Sequence, residues 1–410
     1  MQVAQQRHIQ LFEHDSIRVG EERNGCAFSE SDLQDLLRLH ERQYPPFLQL
    51  IHRGMRTLNY VGIVQTPGLC LEILPKTERK GCGYHRQLLL SLLQQSKKIP
   101  ALPVHNSLGS GEGSLSDHFV RQFLEETEKL CKRGLTKRYR RTSANSNRFR
   151  GKMLVSEQLR HNHAHKERVF AEYQAYDENH LLHAVLREGL EALQHISIHP
   201  DLKNWARQLN TGFPGEDQQP LPRGYRNQMR LSRQDQRYAT ALSWANLILE
   251  QLSPVMKSGA MGCQSFLFDM QQLFEKLVAE KLAAVVAGSE YRLHIQPSRN
   301  FWRQRKIRPD MVLETANGDP IILDTKWKLL KAGQPDEADL KQMYIYNHYF
   351  KARRGFLIYP KQGMHAFGDA FRESVNDMRC EVIFADLADE NGLLNPELGP
   401  QVLQQILRSC

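Results

Sequence analysis

The 410-residue sequence lacks the features that mark secreted, disulfide-rich and membrane-spanning proteins. Its seven cysteines are odd in number and include no C-x-x-C pair. This usage suits a reducing compartment better than a disulfide framework, so we expect a cytoplasmic protein. The N-terminal stretch MQVAQQRHIQ has no apolar signal-peptide core, and no run approaches the roughly 18 apolar residues of a membrane span.

A nucleotide-binding loop is also missing from the sequence. No G-x-x-x-x-G-K-[ST] motif occurs, so any dependence on NTP hydrolysis must come from another chain. Positive charge is present instead, with a formal net charge of +9. Such a balance indicates a polyanionic partner, nucleic acid first and a membrane surface second, although it says nothing of the fold.

The apolar pattern predicts a mixed α/β chain in three consecutive parts. These are a β-containing N-terminal domain over 1–155, a helical middle region over 156–258 and a C-terminal domain over 259–410. LNYVGIVQT and LCLEILPK predict two strands around a Pro-Gly turn. The Gly- and Ser-rich residues 105–117 form either a linker or a long surface loop.

The C-terminal part predicts a mixed sheet flanked by helices. FLFDMQQLFEKLVAEKLAAVVA (266–287) has the spacing of an amphipathic helix, and YRLHIQPS that of a strand. A hairpin over 308–328, a helix over 336–350 and two further strands, RGFLIYP and CEVIFADL, follow.

The segment RPDMVLETANGDPIILDTKWK predicts a β-hairpin whose loop length decides which side chains meet. A two-residue Asn-Gly loop would set Asp310 opposite Thr325, on the face away from Asp324. A three-residue loop over 316–318, with Gly318 left-handed in a bulged turn, pairs Asp310 with Asp324 instead. We predict the three-residue loop.

That register brings Asp310, Asp324 and Lys326 onto one face and sets Val312 against Ile322. Two adjacent carboxylates on a low-dielectric face repel each other and need compensation. A divalent cation held by Asp310 and Asp324 supplies it, and oxygen ligands select Mg²⁺ or Mn²⁺ over zinc. The Lys326 ammonium would then stabilise charge on a phosphate or orient a water. The alternative is a solvated face with an Asp310–Lys326 ion pair, contributing at most about 1 kcal/mol.

RPD followed by ILDTK resembles the PD-(D/E)-x-K nuclease motif, and the order of helix, strand, hairpin, helix and strand is similar to that family's core. The resemblance implies two assisting residues. Glu275, on the preceding helix, would contribute to the metal site, and Gln342, on the following helix, would support the site or the DNA. Each is otherwise an ordinary helix-surface residue.

Most of the chain resembles McrC, the nuclease subunit of modification-dependent restriction systems. The similar pieces are VGIVQTPGLCLEILPK, RGKMLVSEQL, DENHLLHAVL and the C-terminal RPD, ILDTKWK, QMYIYNHYF and FLIYP, in the family's order. The resemblance implies a Mg²⁺-dependent endonuclease that binds a McrB-like AAA+ GTPase hexamer through its N-terminal domain and stimulates its hydrolysis. It implies DNA, methylated or not, as substrate. The alternative is a non-catalytic DNA-binding adaptor docked on an AAA+ ring.

The segment 131–168 is strongly basic, with twelve Lys or Arg against two Glu. It would follow DNA phosphates, face an acidic rim of a protein partner, or form a plain solvated face. Arg150 and Lys152, in the family-like RGK, are the first candidates for DNA or partner binding. Arg308 and Lys328, at the ends of the hairpin, are the others.

The HNHAH stretch offers a zinc alternative. If extended, it would place His161, His163 and His165 on one side of the chain. No cysteine or acidic fourth ligand stands at a familiar spacing, so we do not predict a zinc site here.

Overall fold

The computed structural model describes residues 7–41, 46–77, 81–96, 99, 114–196, 198–213, 221, 224–225, 229, 231–257, 264–330, 333–372 and 377–408. The chain forms two compact units, Met1–Leu115 with Cys263–Cys410, and Ser116–Gly262. Residues 105–113 of the predicted linker lie outside the described part of the chain. In the described ranges, we find no helix with the length and apolarity needed to cross a membrane.

The first unit begins with short strands and two helices. These elements are β1 (Arg7–Phe12), β2 (Ser16–Arg18), β3 (Glu22–Arg23), β4 (Cys26–Ala27), α1 (Glu30–His40), β5 (Leu48–Ile51), β6 (Gly54–Thr57), β7 (Tyr60–Gln65), β8 (Leu69–Leu74) and α2 (Cys82–Gln95). β7 and β8 pair antiparallel around the Pro-Gly turn, which confirms the two predicted strands. All six residues of β8 are buried, as expected of a strand covered on both faces. β1 lies parallel to β8, and β2, β6 and β5 form a separate small sheet.

The second unit combines a long β ladder with helices. Its elements are α3 (Leu115–Lys132), β9 (Arg138–Ser146), β10 (Lys152–Met153), α4 (Val155–His161), β11 (Val169–Asp177), α5 (Leu181–Ala192), α6 (Pro200–Asn210) and α7 (Ala239–Lys257). β9 and β11 pair antiparallel over nine residues each, so the region predicted as helical also contains a strand. Leu186, Leu190, Trp244 and Ile248, on α5 and α7, form part of the buried core.

The C-terminal part of the first unit contains the predicted mixed sheet. Its elements are β12 (Gln264–Asp269), α8 (Met270–Val286), β13 (Arg292–Ile295), β14 (Arg299–Trp302), β15 (Arg305–Ile307), β16 (Met311–Glu314), β17 (Pro320–Thr325), α9 (Glu337–Phe350), β18 (Arg354–Pro360), β19 (Phe367–Ala370), β20 (Arg379–Ala385) and α10 (Leu398–Arg408). The sheet order is β13-β16-β17-β18-β20-β19, with β17, β18 and β20 parallel. The predicted mixed α/β class is confirmed.

The predicted helix over 266–287 is wrong at its start. Residues up to Asp269 form β12, and the helix α8 begins at Met270, where the Asp269 carboxylate accepts a hydrogen bond from the Gln272 N–H at 3.2 Å. Pairing with β7 buries Phe266. Gly62 permits this pairing, because a Cβ there would lie 1.9 Å from the Phe266 carbonyl oxygen.

The β7–β12 pair joins the two ends of the chain. β12 is the fourth strand of the sheet β1-β8-β7-β12, so the N-terminal strands and the C-terminal sheet belong to one unit. The compact units are therefore defined by contacts between distant parts of the chain, such as the β7–β12 pair. They do not coincide with the three consecutive spans 1–155, 156–258 and 259–410, whose functional assignment stays a prediction.

Candidate active site

The β16–β17 hairpin has the three-residue loop predicted from the sequence. Val312 lies opposite Ile322. The Thr315 N–H donates to the Asp319 carbonyl at 3.0 Å, and the Gly318 N–H donates to the Thr315 carbonyl at 2.9 Å. Gly318 has a φ of +82°, a left-handed conformation that glycine adopts readily. The predicted register is therefore confirmed.

The last pair of this register is Met311 and Leu323. One residue further along, Asp310 lies beside Asp324. The Asp310 Oδ2 accepts hydrogen bonds from the Thr325 N–H at 2.7 Å and the Thr325 hydroxyl at 2.6 Å. Asp324 is only 2% exposed. The Lys326 Nζ lies 2.6 Å from the Asp324 Oδ2. The hairpin thus brings together the three predicted groups, two carboxylates and an ammonium.

The Lys326 ammonium is held from a second side by α9. It donates to the Gln342 Oε1 at 2.8 Å. The Gln342 Nε2 in turn donates to the Tyr346 hydroxyl at 2.6 Å, and that hydroxyl donates to the Arg308 carbonyl at 3.1 Å. Gln342 therefore lies where the motif resemblance implied, and it fixes the lysine relative to the start of the hairpin.

Burial and mutual repulsion control the charges of this cluster. Burial, followed by the Asp310 charge, raises the pKa of Asp324 to about 7, although Lys326 opposes the shift. Burial, the largest single effect, lowers the pKa of Lys326, but the carboxylates of Asp324, Asp339 and Asp310 together outweigh it and the net direction is upward. Lys326 therefore remains an ammonium at neutral pH. Its positive charge does not fully offset the effects of burial and of the Asp310 charge on the Asp324 carboxylate.

Glu275 reaches the same cluster from α8. Burial first, and then the Asp310 charge, raise the pKa of Glu275. The Gln296 Nε2 donates to the Glu275 Oε1 at 2.6 Å, and the Gln296 backbone N–H donates to the Asp310 carbonyl at 2.8 Å. Gln296 was not among the predicted residues. It follows an exposed strand with a left-handed φ of +49°, and no feature of the single sequence relates it to Glu275.

The chain after Lys326 is fixed by two other elements of the unit. The Gln271 side chain, on α8, accepts from the Trp327 N–H at 2.8 Å and donates to the Thr325 carbonyl at 2.7 Å. The Trp327 indole N–H donates to the Glu13 Oε2 at 2.6 Å. Because both neighbours of Lys326 are held, its side chain starts from a rigid backbone.

The other two candidate residues in the first unit, Lys328 and Arg308, lie outside the cluster of Asp310, Asp324 and Lys326 and have different neighbours. The Lys328 Nζ forms ion pairs with Asp336 at 2.5 Å and with Asp339 at 2.6 Å, so it is engaged by the first turn of α9 and the residue before it. Arg308 is exposed and lines a cleft of about 980 Å³ that also contains Gln342. Of the two, Arg308 is the one that is exposed at the cleft.

The second unit holds the predicted residues of the basic segment. Arg150 is exposed in the connection between β9 and β10, and Lys152 is exposed on β10, opposite Glu172. The HNHAH stretch is not extended, because His161 is the last residue of α4. The geometry required for the zinc alternative is therefore not present.

The donor set fits a hard cation with few protein ligands. In the described ranges, no cluster of three or more His, Cys, Asp or Glu side chains is arranged to hold a metal. Asp310 and Asp324 are the candidate ligands, and the buried Asp324 Oδ2 has the ionic contact with Lys326 without hydrogen-bond geometry. Mg²⁺ and Mn²⁺ are bound through one or two carboxylates, with waters and phosphate oxygens as further ligands.

Comparison with known proteins identifies the family. Residues 55–360, more than half of the chain, match the model of the McrBC 5-methylcytosine restriction system component. Two solved structures from Thermococcus gammatolerans are similar in fold. One is a refined half-complex from a tetradecameric assembly of McrB AAA+ hexamers with bound McrC (TM-score 0.73, 17% identity, 97% of this chain and 100% of that chain).

The second is a cryo-EM structure of the McrBC complex (TM-score 0.52, 16% identity, 69% of this chain and 88% of that chain). A search of curated proteins found no match. The two structures establish a shared fold, and the family assignment rests on the model match. The chain belongs to the family of McrBC 5-methylcytosine restriction system components, which confirms the predicted resemblance to McrC.

Proposed function

We propose that this chain is the nuclease subunit of a modification-dependent restriction complex. It is a Mg²⁺- or Mn²⁺-dependent endodeoxyribonuclease that acts in the cytoplasm with a McrB-like AAA+ GTPase hexamer and stimulates its hydrolysis. The observation that carries the proposal is the convergence of Asp310, Asp324 and Lys326 at the end of one hairpin. Since the sequence has no nucleotide-binding loop, the motor activity belongs to a separate chain.

Each group at the site has a role in phosphodiester hydrolysis. Asp310 and Asp324 would hold the cation, which when bound polarises the phosphate and acidifies a water. Lys326, oriented by Asp324 and Gln342, places positive charge where the phosphate gains negative charge. Glu275 assists at the edge of the cluster, where Gln296 fixes its carboxylate. The hydrogen bonds from Thr325 keep Asp310 in place before substrate arrives.

Removal of one ligand tests the proposal. We expect Asp324→Ala to abolish Mg²⁺-dependent cleavage of methylated plasmid in the presence of the AAA+ partner and GTP. GTPase stimulation should survive, because the change lies inside the nuclease site. Asp319→Ala is the matched control, since Asp319 is an exposed carboxylate immediately after the loop of the same hairpin. It should cut normally.

Two outcomes would refute the nuclease assignment. Cleavage that persists in Asp324→Ala would show that these carboxylates do not hold the essential ion. A wild-type chain that stimulates the GTPase but never cuts DNA, methylated or unmethylated, would favour the adaptor function instead.

A further inference from the structure

An exposed hairpin beside the candidate site has no role in the proposed mechanism. β14 and β15, Arg299–Ile307, form a two-stranded sheet that we call the basic hairpin. With the residue that follows, its sequence is RNFWRQRKIR, which has five cations and no carboxylate. Phe301 is 47% exposed and Trp302 59% exposed. Clustered exposed aromatic side chains commonly mark a binding surface.

The root of the basic hairpin is anchored on α9. The Arg299 guanidinium donates to the Tyr349 carbonyl at 2.7 Å and lies 4.6 Å from the centroid of the Phe350 ring. The Phe301 ring meets the Tyr349 ring edge-on, with centroids 5.5 Å apart. α9 also carries Gln342, which holds the catalytic lysine. The hairpin is therefore fixed to the same helix as the site.

A cleft of about 980 Å³ connects the basic hairpin with the candidate site. Its described lining includes Lys306, Arg308 and Lys341, and none of the described lining residues is acidic. Gln342 and Gln296 line its other side, and these are the side chains bonded to Lys326 and Glu275. A chain of phosphates lying in the cleft would thus pass the two side chains that contact Lys326 and Glu275.

Three cations at the basic hairpin and the cleft are available for an anion. Among the residues that the structure describes, no ion pair engages Arg305, Lys306 or Arg308. Lys341 pairs with Glu337 at 2.7 Å, on an exposed turn of α9. The Arg303 guanidinium lies 4.8 Å from the centroid of the Trp302 ring. The ring and the guanidinium together present a flat surface and a positive charge at the tip of the basic hairpin.

We infer that the basic hairpin binds the DNA strand next to the scissile phosphate. Arg305, Lys306 and Arg308 contact its phosphates, and Trp302 packs against a nucleotide at the tip. Cations contribute through counterion release, and an aromatic face contributes through stacking, independently of sequence. The inference rests on the proposed nuclease function and adds to it the surface that positions the substrate.

Affinity measurements test DNA binding by the basic hairpin separately from DNA cleavage. In the full-length Asp324→Ala background, which leaves DNA uncut, anisotropy of a fluorescein-labelled methylated duplex gives Kd at several salt concentrations. We expect Trp302→Ala to raise Kd about tenfold with little change in salt dependence. The double variant Arg305→Ala/Lys306→Ala should reduce the slope of log Kd against log salt by about 1.8. Lys306→Arg should retain binding.

Matched controls are available on the same unit. Leu393 is 50% exposed, and Leu393→Ala removes an apolar surface side chain. Arg353 is exposed just before the N-terminal end of β18, whereas Lys326 follows the C-terminal end of the parallel strand β17. Arg353→Ala therefore removes a cation from the other end of these strands. Both should bind DNA like the parent chain.

The outcomes decide the inference independently of the proposed function. Hairpin variants that bind with the parent Kd and salt slope would overturn the inference, even if the wild-type chain cuts DNA. Equal losses in the two controls would also overturn it, because they would show a general effect of surface changes. Selective loss in the hairpin variants supports it.

Discussion

Ionisation of the buried Glu13 should make the first unit less stable as pH rises. Glu13 is fully buried, and one of its oxygens accepts from the Trp327 indole N–H at 2.6 Å and from the Lys76 backbone N–H at 3.1 Å. Burial raises the pKa of Glu13 from 4.5 to about 8, against the opposing effect of these hydrogen bonds. The folded chain therefore keeps this proton over a range in which the unfolded chain releases it.

The sign and size of the effect follow from proton linkage. From about pH 4.5 upward Glu13 binds fewer protons in the unfolded chain than in the folded chain, so its contribution to the free energy of unfolding falls until about pH 8. The full difference corresponds to about 5 kcal/mol. Between about pH 5 and pH 8 the expected loss is about 3–4 kcal/mol. Glu13→Gln keeps the acceptor oxygen and has no proton to lose, so its stability should change much less.

Urea unfolding of the full chain, followed by tryptophan fluorescence at several pH values, measures this difference. The transition that reports the first unit is the one altered in Trp327→Phe. Glu290→Gln, at an exposed position, should keep the wild-type pH profile. Parallel profiles for the wild type and Glu13→Gln would refute the reasoning, because they would show that Glu13 does not retain its proton in the folded state.

Further predictions concern the hairpin loop, the lysine support and the basic segment. Gly318→Ala should destabilise the first unit by about 1–2 kcal/mol in urea unfolding, because alanine is strained at positive φ, whereas Gly83→Ala in α2 should stabilise it slightly. Gln342→Met should lower the single-turnover cleavage rate at least about tenfold with little change in DNA affinity, since the lysine loses its positioning hydrogen bond; an unchanged rate would remove Gln342 from the site. Charge reversal of Arg150 and Lys152 should reduce DNA binding or GTPase stimulation, and normal values of both would assign these residues to a plain solvated face.

Local features of the sequence predicted the centre of the site correctly. The Asn-Gly pair and the flanking apolar runs gave a hairpin, and loop length then determined which residues share a face. Because side chains alternate along a strand, the register of Val312 and Ile322 also fixed the relation of Asp310 to Asp324. No long-range information was needed for that step.

The start of α8 shows where local reasoning failed. FLFD continues the apolar spacing of the helix behind it, and a short apolar run does not distinguish strand from helix. Pairing with β7, some two hundred residues earlier in the chain, decided the conformation. Gln296 and Glu13 were missed for the same reason. Their partners, Glu275 and Trp327, are 21 and 314 positions away.

The sequence by itself determined the elements whose interactions are local: the hairpin and its loop, the helix that carries Gln342, and the clustering of two acidic residues with a lysine. The tertiary structure alone decided which distant groups surround that cluster, how deeply Asp324 is buried, and that a basic hairpin faces the same cleft. The physical reason is that burial and long-range pairing depend on the packing of the whole unit, and these set the charge state of a carboxylate and the access of a substrate.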